Sequence, residues 1–118
     1  MQPTDCEQKA EWASGNIYIR RVRLAKAGDV LHGHTHNFDH TTIVFTGAVH
    51  VHATCEAGCN KKQDFAAPSH FLVRKDWRHE ITALVDGTEF WCVYSHRDPQ
   101  GNVVQEYTGW SDAHDARA

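Results

Sequence analysis

Short β-type segments separated by turn residues fill most of the chain, and this pattern constrains its fold more than any other feature. No segment places apolar residues at helical spacing over three turns, so no major helix is predicted. Strands repeating about every 8 to 12 residues favour a β-sandwich or a barrel. The predicted strands are Asn16–Leu24, His40–Thr46, Ala48–Thr54, Phe65–Ala67, Phe71–Val73, Arg78–Val85 and Thr88–His96, with a further segment, Val103–Trp110, in the tail.

The length of 118 residues is that of a single domain. The distribution of strand-like segments predicts a barrel core over about residues 16–96. Residues 1–15 are expected to form an N-terminal arm, and residues 97–118 a C-terminal strand or tail.

Composition excludes several classes of protein. An apolar fraction of 41% is too high for a disordered chain. The 12 basic and 15 acidic side chains give a formal net charge of -3, which does not favour nucleic acid or an anionic membrane as a partner. No apolar run approaches the roughly 18 residues of a membrane span, and the first residues lack the features of a signal peptide. We therefore expect a cytoplasmic protein.

The chain contains ten histidines, more than its five Phe and three Tyr together. Histidine is the commonest metal ligand in proteins. His34 and His36 are two residues apart and share one face of an extended chain, and His40 follows at the same parity. An isolated His-x-His pair more often lies on an exposed polar strand. Three imidazoles on one face would be costly to desolvate, however, unless a metal satisfied their nitrogens.

The spacing around these histidines resembles the first motif of the cupin family. Gly28 is followed after five residues by His34-x-His36, then after three residues by His40, and after six more by Gly47. His40 stands where the family usually has Glu. The second cupin motif matches only at His79, because its other positions are occupied by Pro68, Arg74, Asp76 and Ala83.

The resemblance spans roughly residues 17–96 and implies an all-β cupin fold, the double-stranded β-helix or jelly-roll barrel. It is nearest to small single-domain cupins whose mononuclear metal is held by four histidines. It implies one divalent transition metal per chain, with manganese or iron favoured and nickel, zinc or copper as alternatives. The implied ligands are His34, His36, His40 and His79.

Strand parity predicts part of the pocket around this metal. Thr42 lies two residues from His40, and Ile81 two residues from His79, so both should face the barrel interior. A tight hairpin at Thr46-Gly47 would point His50 and His52 to the opposite face.

The cupin resemblance supplies the remaining pocket predictions. It places Cys92 inside the barrel, and Tyr94 shares its parity. The residues alone do not decide which face of the first strand lines the pocket, but the resemblance favours Arg21, which would suggest a ligand with a carboxylate. Phe38, between two expected ligands, should shape the entrance.

Cys6, Cys55, Cys59 and Cys92 lack the paired spacing of a zinc ribbon. Cys55 and Cys59 could meet across a loop, but two unpaired thiols are favoured because the cytosol is reducing.

Apolar side chains also occur on the outer face, and they suggest a homodimer. They are Ile43, Phe45, Trp91 and Val93.

The pattern favours a metalloenzyme. Four neutral imidazoles leave a divalent metal with its full charge and open coordination positions, and neither a catalytic triad nor a carboxylate pair is evident. We therefore expect dioxygenase-like oxidation of a small, possibly acidic substrate. The alternatives are a Lewis-acid isomerase or sugar-acid ring-opening enzyme, and a non-catalytic metal-dependent binding or sensor module.

Overall fold

The computed structural model describes residues 7–33, 35–95, 97–100 and 102–103. The described part contains nine β-strands. They are β1 (Glu7–Ser14), β2 (Ile17–Leu24), β3 (Val30–Leu31), β4 (His40–Thr46), β5 (Ala48–Thr54), β6 (Asn60–Ala66), β7 (Ser69–Val73), β8 (Arg78–Ala83) and β9 (Thr88–Ser95).

The strands form two antiparallel sheets that enclose the core. One sheet has the order β1-β2-β9-β4-β7, and the other β3-β8-β5-β6. Buried and more exposed residues alternate along β4, β5 and β8, so each of these strands contributes one face to the interior. The core includes Val22, Leu24, Val44, Val49, Val51, Phe71, Val73, Ile81, Ala83 and Phe90. The prediction of an all-β jelly-roll fold is confirmed. Among the described residues, no helix has the length and apolarity needed to cross a membrane.

The turn at Thr46-Gly47 does not form the predicted hairpin. β4 pairs with β7 and β9, whereas β5 pairs with β6 and β8, so the chain passes from one sheet to the other at this turn. Gly47 has a φ of 78°, and a Cβ there would meet Thr88, which explains the glycine. The turn at Asp86-Gly87 likewise connects strands of different sheets. Turn chemistry predicted the reversals of the chain, but not which strands would pair.

The predicted faces of β4 and β5 are nevertheless those observed. Thr42 is fully buried, whereas His50 and His52 are directed to the other face of their sheet. His50 Nδ1 lies 2.7 Å from Asp64 Oδ1, and His52 Nε2 lies 2.8 Å from Asn60 Oδ1. The face on which a side chain lies depends only on alternation along its own strand, so this prediction holds although the predicted pairing of β4 with β5 was wrong.

The segment expected to be an N-terminal arm contains the edge strand β1, which pairs with β2 along its length. The Trp12 ring stacks on that of Trp91 with 5.7 Å between ring centres, and the Phe45 ring packs against the same indole with 5.2 Å between ring centres. The chain itself thus covers part of the apolar outer face. Homodimerisation through the rest of this face remains a prediction.

Glu89 joins two strands on this outer face. Its carboxylate accepts hydrogen bonds from Trp91 Nε1 at 2.8 Å and from Arg23 Nε at 2.7 Å. The bond from Trp91, followed by that from Arg23, lowers the pKa of Glu89.

Cys55 and Cys59 are joined by a disulfide in the loop between β5 and β6. The prediction of two unpaired thiols is therefore wrong. Thr54 and Asn60 are cross-strand partners at the base of this loop, which brings the two cysteine Cα atoms to 4.8 Å. That separation lies within the usual range for a disulfide.

Candidate functional site

The histidine-rich loop is tied to the turn between β7 and β8. The amide of Asp76 donates to the carbonyl of His36 at 2.8 Å, and the amide of Lys75 donates to Asp39 Oδ1 at 2.6 Å. Asp76 has a φ of 64°, a left-handed conformation that Asp tolerates better than most residues. It therefore serves as a turn former where the cupin motif has glycine. These bonds place His36 beside the start of β8.

Gly33 allows a second close approach between these segments. An ideal Cβ at this position would overlap the carbonyl oxygen of His79 and lie 2.5 Å from its carbonyl carbon. Any side chain at Gly33 would therefore displace the backbone that positions His79.

Three of the predicted ligands line one pocket of about 40 Å³ inside the barrel. His40 and His79 are each 8% exposed, and the rings of His36 and His40 meet edge to face at 5.1 Å. A single water needs about 10–15 Å³, so the pocket has room for an ion or for a ligand of a few atoms. The described lining residues are Arg20, Leu31, His32, Gly33, His36, His40, Thr42, Val73, His79, Ile81 and Cys92.

The donor chemistry of this pocket fits a transition metal. Burial lowers the pKa of His79, although the Trp77 backbone opposes this shift, so its imidazole favours the neutral form that binds metals. His79 Nδ1 is buried and makes no hydrogen bond with the described residues. The described residues do not, however, include three His, Cys, Asp or Glu side chains gathered closely enough to hold a metal ion. His34 lies outside the described residues.

The arginine that faces the pocket is Arg20, and the prediction of Arg21 is corrected. Arg20 pairs across the sheet with Cys92 and lines the pocket, whereas Arg21 pairs with Trp91 and stacks over Trp12 on the outer face at 5.5 Å. The sequence did not separate the two faces of β2, because both mix apolar residues with arginine, but Arg20 shares its parity with Val22 and Leu24. Both of these residues are fully buried.

Arg20 has no acidic partner in the pocket. Its Nε is buried and makes no hydrogen bond with the described residues, and none of the described lining residues is Asp or Glu. Glu11 lies opposite Arg20 on β1 but is exposed. Burial and a hydrogen bond to Glu11 raise the pKa of the Tyr18 phenol.

The other predicted pocket residues lie either in the pocket lining or in an aromatic cluster beside it. Thr42, Ile81 and Cys92 are buried in the lining, where Thr42 Oγ1 lies 3.5 Å from Cys92 Sγ. Burial raises the pKa of Cys92, so its thiol stays protonated at neutral pH. Phe38 and Tyr94 form an aromatic wall beside His40. Their rings are 4.7 Å apart, and Tyr94 lies 5.5 Å from the His40 ring.

His32 lies at the margin of the pocket. Its Nδ1 is 3.0 Å from Glu80 Oε2, and its side chain is 53% exposed. This pairing with an exposed carboxylate holds the ring toward solvent.

Solved structures with a similar fold include oxalate decarboxylases from two bacteria. The Bacillus subtilis enzyme at pH 4.6 is 23% identical over 75% of this chain and 23% of its own, with a TM-score of 0.63. A deletion mutant of that enzyme is 21% identical over 86% of this chain and 27% of its own, with a TM-score of 0.65. The Lactobacillus farciminis enzyme in complex with formate is 21% identical over 76% of this chain and 28% of its own, with a TM-score of 0.64. No protein-family model and no curated protein sequence matches the chain.

This similarity confirms the cupin fold. The chain spans about a quarter of the length of these enzymes.

Proposed function

We propose that the chain is a metal-dependent enzyme that acts on a small carboxylic acid. The observation that supports this most strongly is the placement of Arg20 in the pocket that His36, His40 and His79 line. Arg20 is half-buried with its Nε enclosed, so its positive charge favours an anionic partner, and the described lining offers none. A substrate carboxylate would supply it.

The proposed metal ligands are His34, His36, His40 and His79, which would hold one divalent ion, manganese or iron in preference to nickel, zinc or copper. Such an ion would supply Lewis-acid and one-electron redox chemistry.

The side chains of the pocket would bind and orient the substrate. Arg20 would hold the carboxylate by charge-assisted hydrogen bonds. Val73 and Ile81 limit the access of water on the apolar side. The described lining contains no carboxylate to act as a general base, and the Cys92 thiol stays protonated. This environment favours oxidation by dioxygen over hydrolysis.

Decarboxylation is the second candidate reaction. The solved structures of similar fold are oxalate decarboxylases, one of them in complex with formate. An arginine beside a histidine pocket would suit the same class of small acid.

The decisive experiment compares Arg20→Gln with Arg21→Gln in the full chain. Both variants remove one positive charge from β2, but only Arg20 lines the pocket. Metal content is measured by elemental analysis, and turnover by oxygen consumption and carbon dioxide release over a panel of small mono- and dicarboxylic acids. Arg20→Gln should keep the metal and lose turnover, and Arg21→Gln should retain both.

The same assays separate the reactions. Oxygen uptake with an oxidised product supports the oxygenase, whereas carbon dioxide release without net oxygen uptake supports the decarboxylase. A protein that takes up no divalent transition metal, or two arginine variants of equal activity, would contradict the proposal.

A further inference from the structure

A second cavity of about 130 Å³ opens between β6 and β7. Its inner wall is apolar and includes Val51, Phe65 and Phe71, and His79 borders it as well as the histidine pocket. Its volume is close to the roughly 150 Å³ of an engineered cavity that binds benzene. One aromatic ring is therefore of suitable size.

The cavity exists because one row of residues across the sheet lacks bulky apolar side chains. Ala53 pairs with His79 on one side and with Lys61 on the other. Directly opposed side chains lie about 4.5–5.5 Å apart, so the Ala53 methyl leaves space between two longer neighbours. The next inward residue of β6 is Gln63, which also lines the cavity. The polar sequence of β6 therefore leaves this side of the barrel open.

The rim of this cavity is basic. Lys61, Lys62 and Arg74 line it, and all three are exposed. Lys61 Nζ lies 5.8 Å and the Arg74 guanidinium 5.7 Å from the centre of the Trp77 ring. None of the described residues that line the cavity is acidic. These cation–π contacts hold two positive charges beside an apolar cavity.

We infer that this cavity binds an aromatic carboxylate, with the ring against the apolar wall and the carboxylate at the basic rim beside Trp77. In this arrangement the apolar wall excludes water from the ring, and the rim selects for negative charge. The inference goes beyond the proposed function, because an acid bound here has its carboxylate at the rim and not at Arg20, and this cavity shares only His79 with the histidine pocket.

Binding is tested with benzoate, with benzyl alcohol and benzylamine as matched neutral and cationic probes. The full chain is used both as purified and after metal removal by a chelator. The readout is the indole N–H resonance of Trp77 in NMR spectra, assigned with Trp77→Phe. Benzoate should shift this resonance in both preparations and bind about tenfold more tightly than benzyl alcohol, and benzylamine should not bind.

Three variants locate the site. Arg74→Gln should weaken benzoate binding by about tenfold, whereas Arg78→Gln, which removes an exposed charge next to Trp77 but outside the cavity, should not. Ala53→Leu keeps the rim but fills the cavity and should abolish binding. Its folding is checked through the indole resonance of Trp91.

Equal affinity for benzoate and benzyl alcohol, equal effects of the two arginine variants, or full binding by Ala53→Leu would overturn the inference. Failure of the proposed function is distinct from this result. A chain that binds no metal but still binds benzoate at Trp77 contradicts the proposed function and supports this site.

Discussion

Gly33→Ala should disturb the histidine pocket, because the added methyl group would overlap the backbone of His79. The glycine lies against the backbone of His79, where an ideal Cβ would be 2.5 Å from the carbonyl carbon and 2.9 Å from the amide nitrogen. Real Cβ contacts shorter than 3.0 Å essentially do not occur. The carbonyl oxygen of His79 would be closer still, so the two segments must separate by more than 0.5 Å, the difference between 3.0 and 2.5 Å for the carbonyl carbon. Neither contact is with a flexible side chain that could move aside.

The magnitude follows from overpacking. Forcing additional atoms into a packed interior costs about 1–3 kcal/mol. For a domain of this size each kcal/mol lowers Tm by roughly 4 °C, so a decrease of about 4 to 12 °C is expected. The displaced segment includes a proposed metal ligand, and metal content should decrease together with Tm.

Gly58→Ala is the matched control. Gly58 has a φ of 94°, and a Cβ there would meet no atom within 4 Å. Alanine would cost about 1–2 kcal/mol through its left-handed conformation alone, without moving His79. Thermal unfolding measures both stability losses, and NMR of the histidine rings reports the pocket. If Gly33→Ala melts at the wild-type temperature with unchanged His79 resonances, the steric reasoning is wrong.

Further predictions concern the ligands, one carboxylate and one thiol. His36→Ala and His79→Ala should each lower metal content by elemental analysis, and full retention in both would remove these residues from the site. His40→Glu should keep the fold and shift metal preference toward harder ions, because a carboxylate adds negative charge; competition between metals measures this, and loss of all metal would argue against the position of His40. The pKa of Glu89 is lower in the folded protein than its ordinary value. The ionised carboxylate therefore stabilises the fold at pH values above the ordinary pKa, and this stabilisation is lost as pH falls through the folded-state pKa. Glu89→Gln should therefore lower Tm at pH 7 but not in acid, and a pH-independent difference would contradict this. Cys92 is 6% exposed with a raised pKa, so thiol labelling of the native protein at neutral pH should be far slower than in denaturant, and equal rates would show that it is accessible.

The local sequence pattern was sufficient to predict which side chains of β4, β5 and β8 face the barrel interior. Period-two alternation identified Thr42 and Ile81 as inward, since side-chain direction along a strand is a local property. It failed for β2, where both faces mix apolar residues with arginine, and the family resemblance then selected Arg21 incorrectly.

The sequence by itself determined the strands of the core, the glycine-punctuated turns and the histidine spacing that resembles a cupin motif. Each depends on residues close together in the chain, whose conformational preferences act locally. The tertiary structure alone decided that β4 and β5 belong to different sheets, that Arg20 rather than Arg21 faces the histidines, and that Cys55 and Cys59 are paired. It also decided that Ala53, between His79 and Lys61, leaves a cavity with a basic rim. Cys55 and Cys59 are four residues apart and meet because β5 and β6 pair on either side of their loop. The other features depend on strand pairing across the barrel, and the packing of the whole barrel, rather than any local preference, selects that pairing.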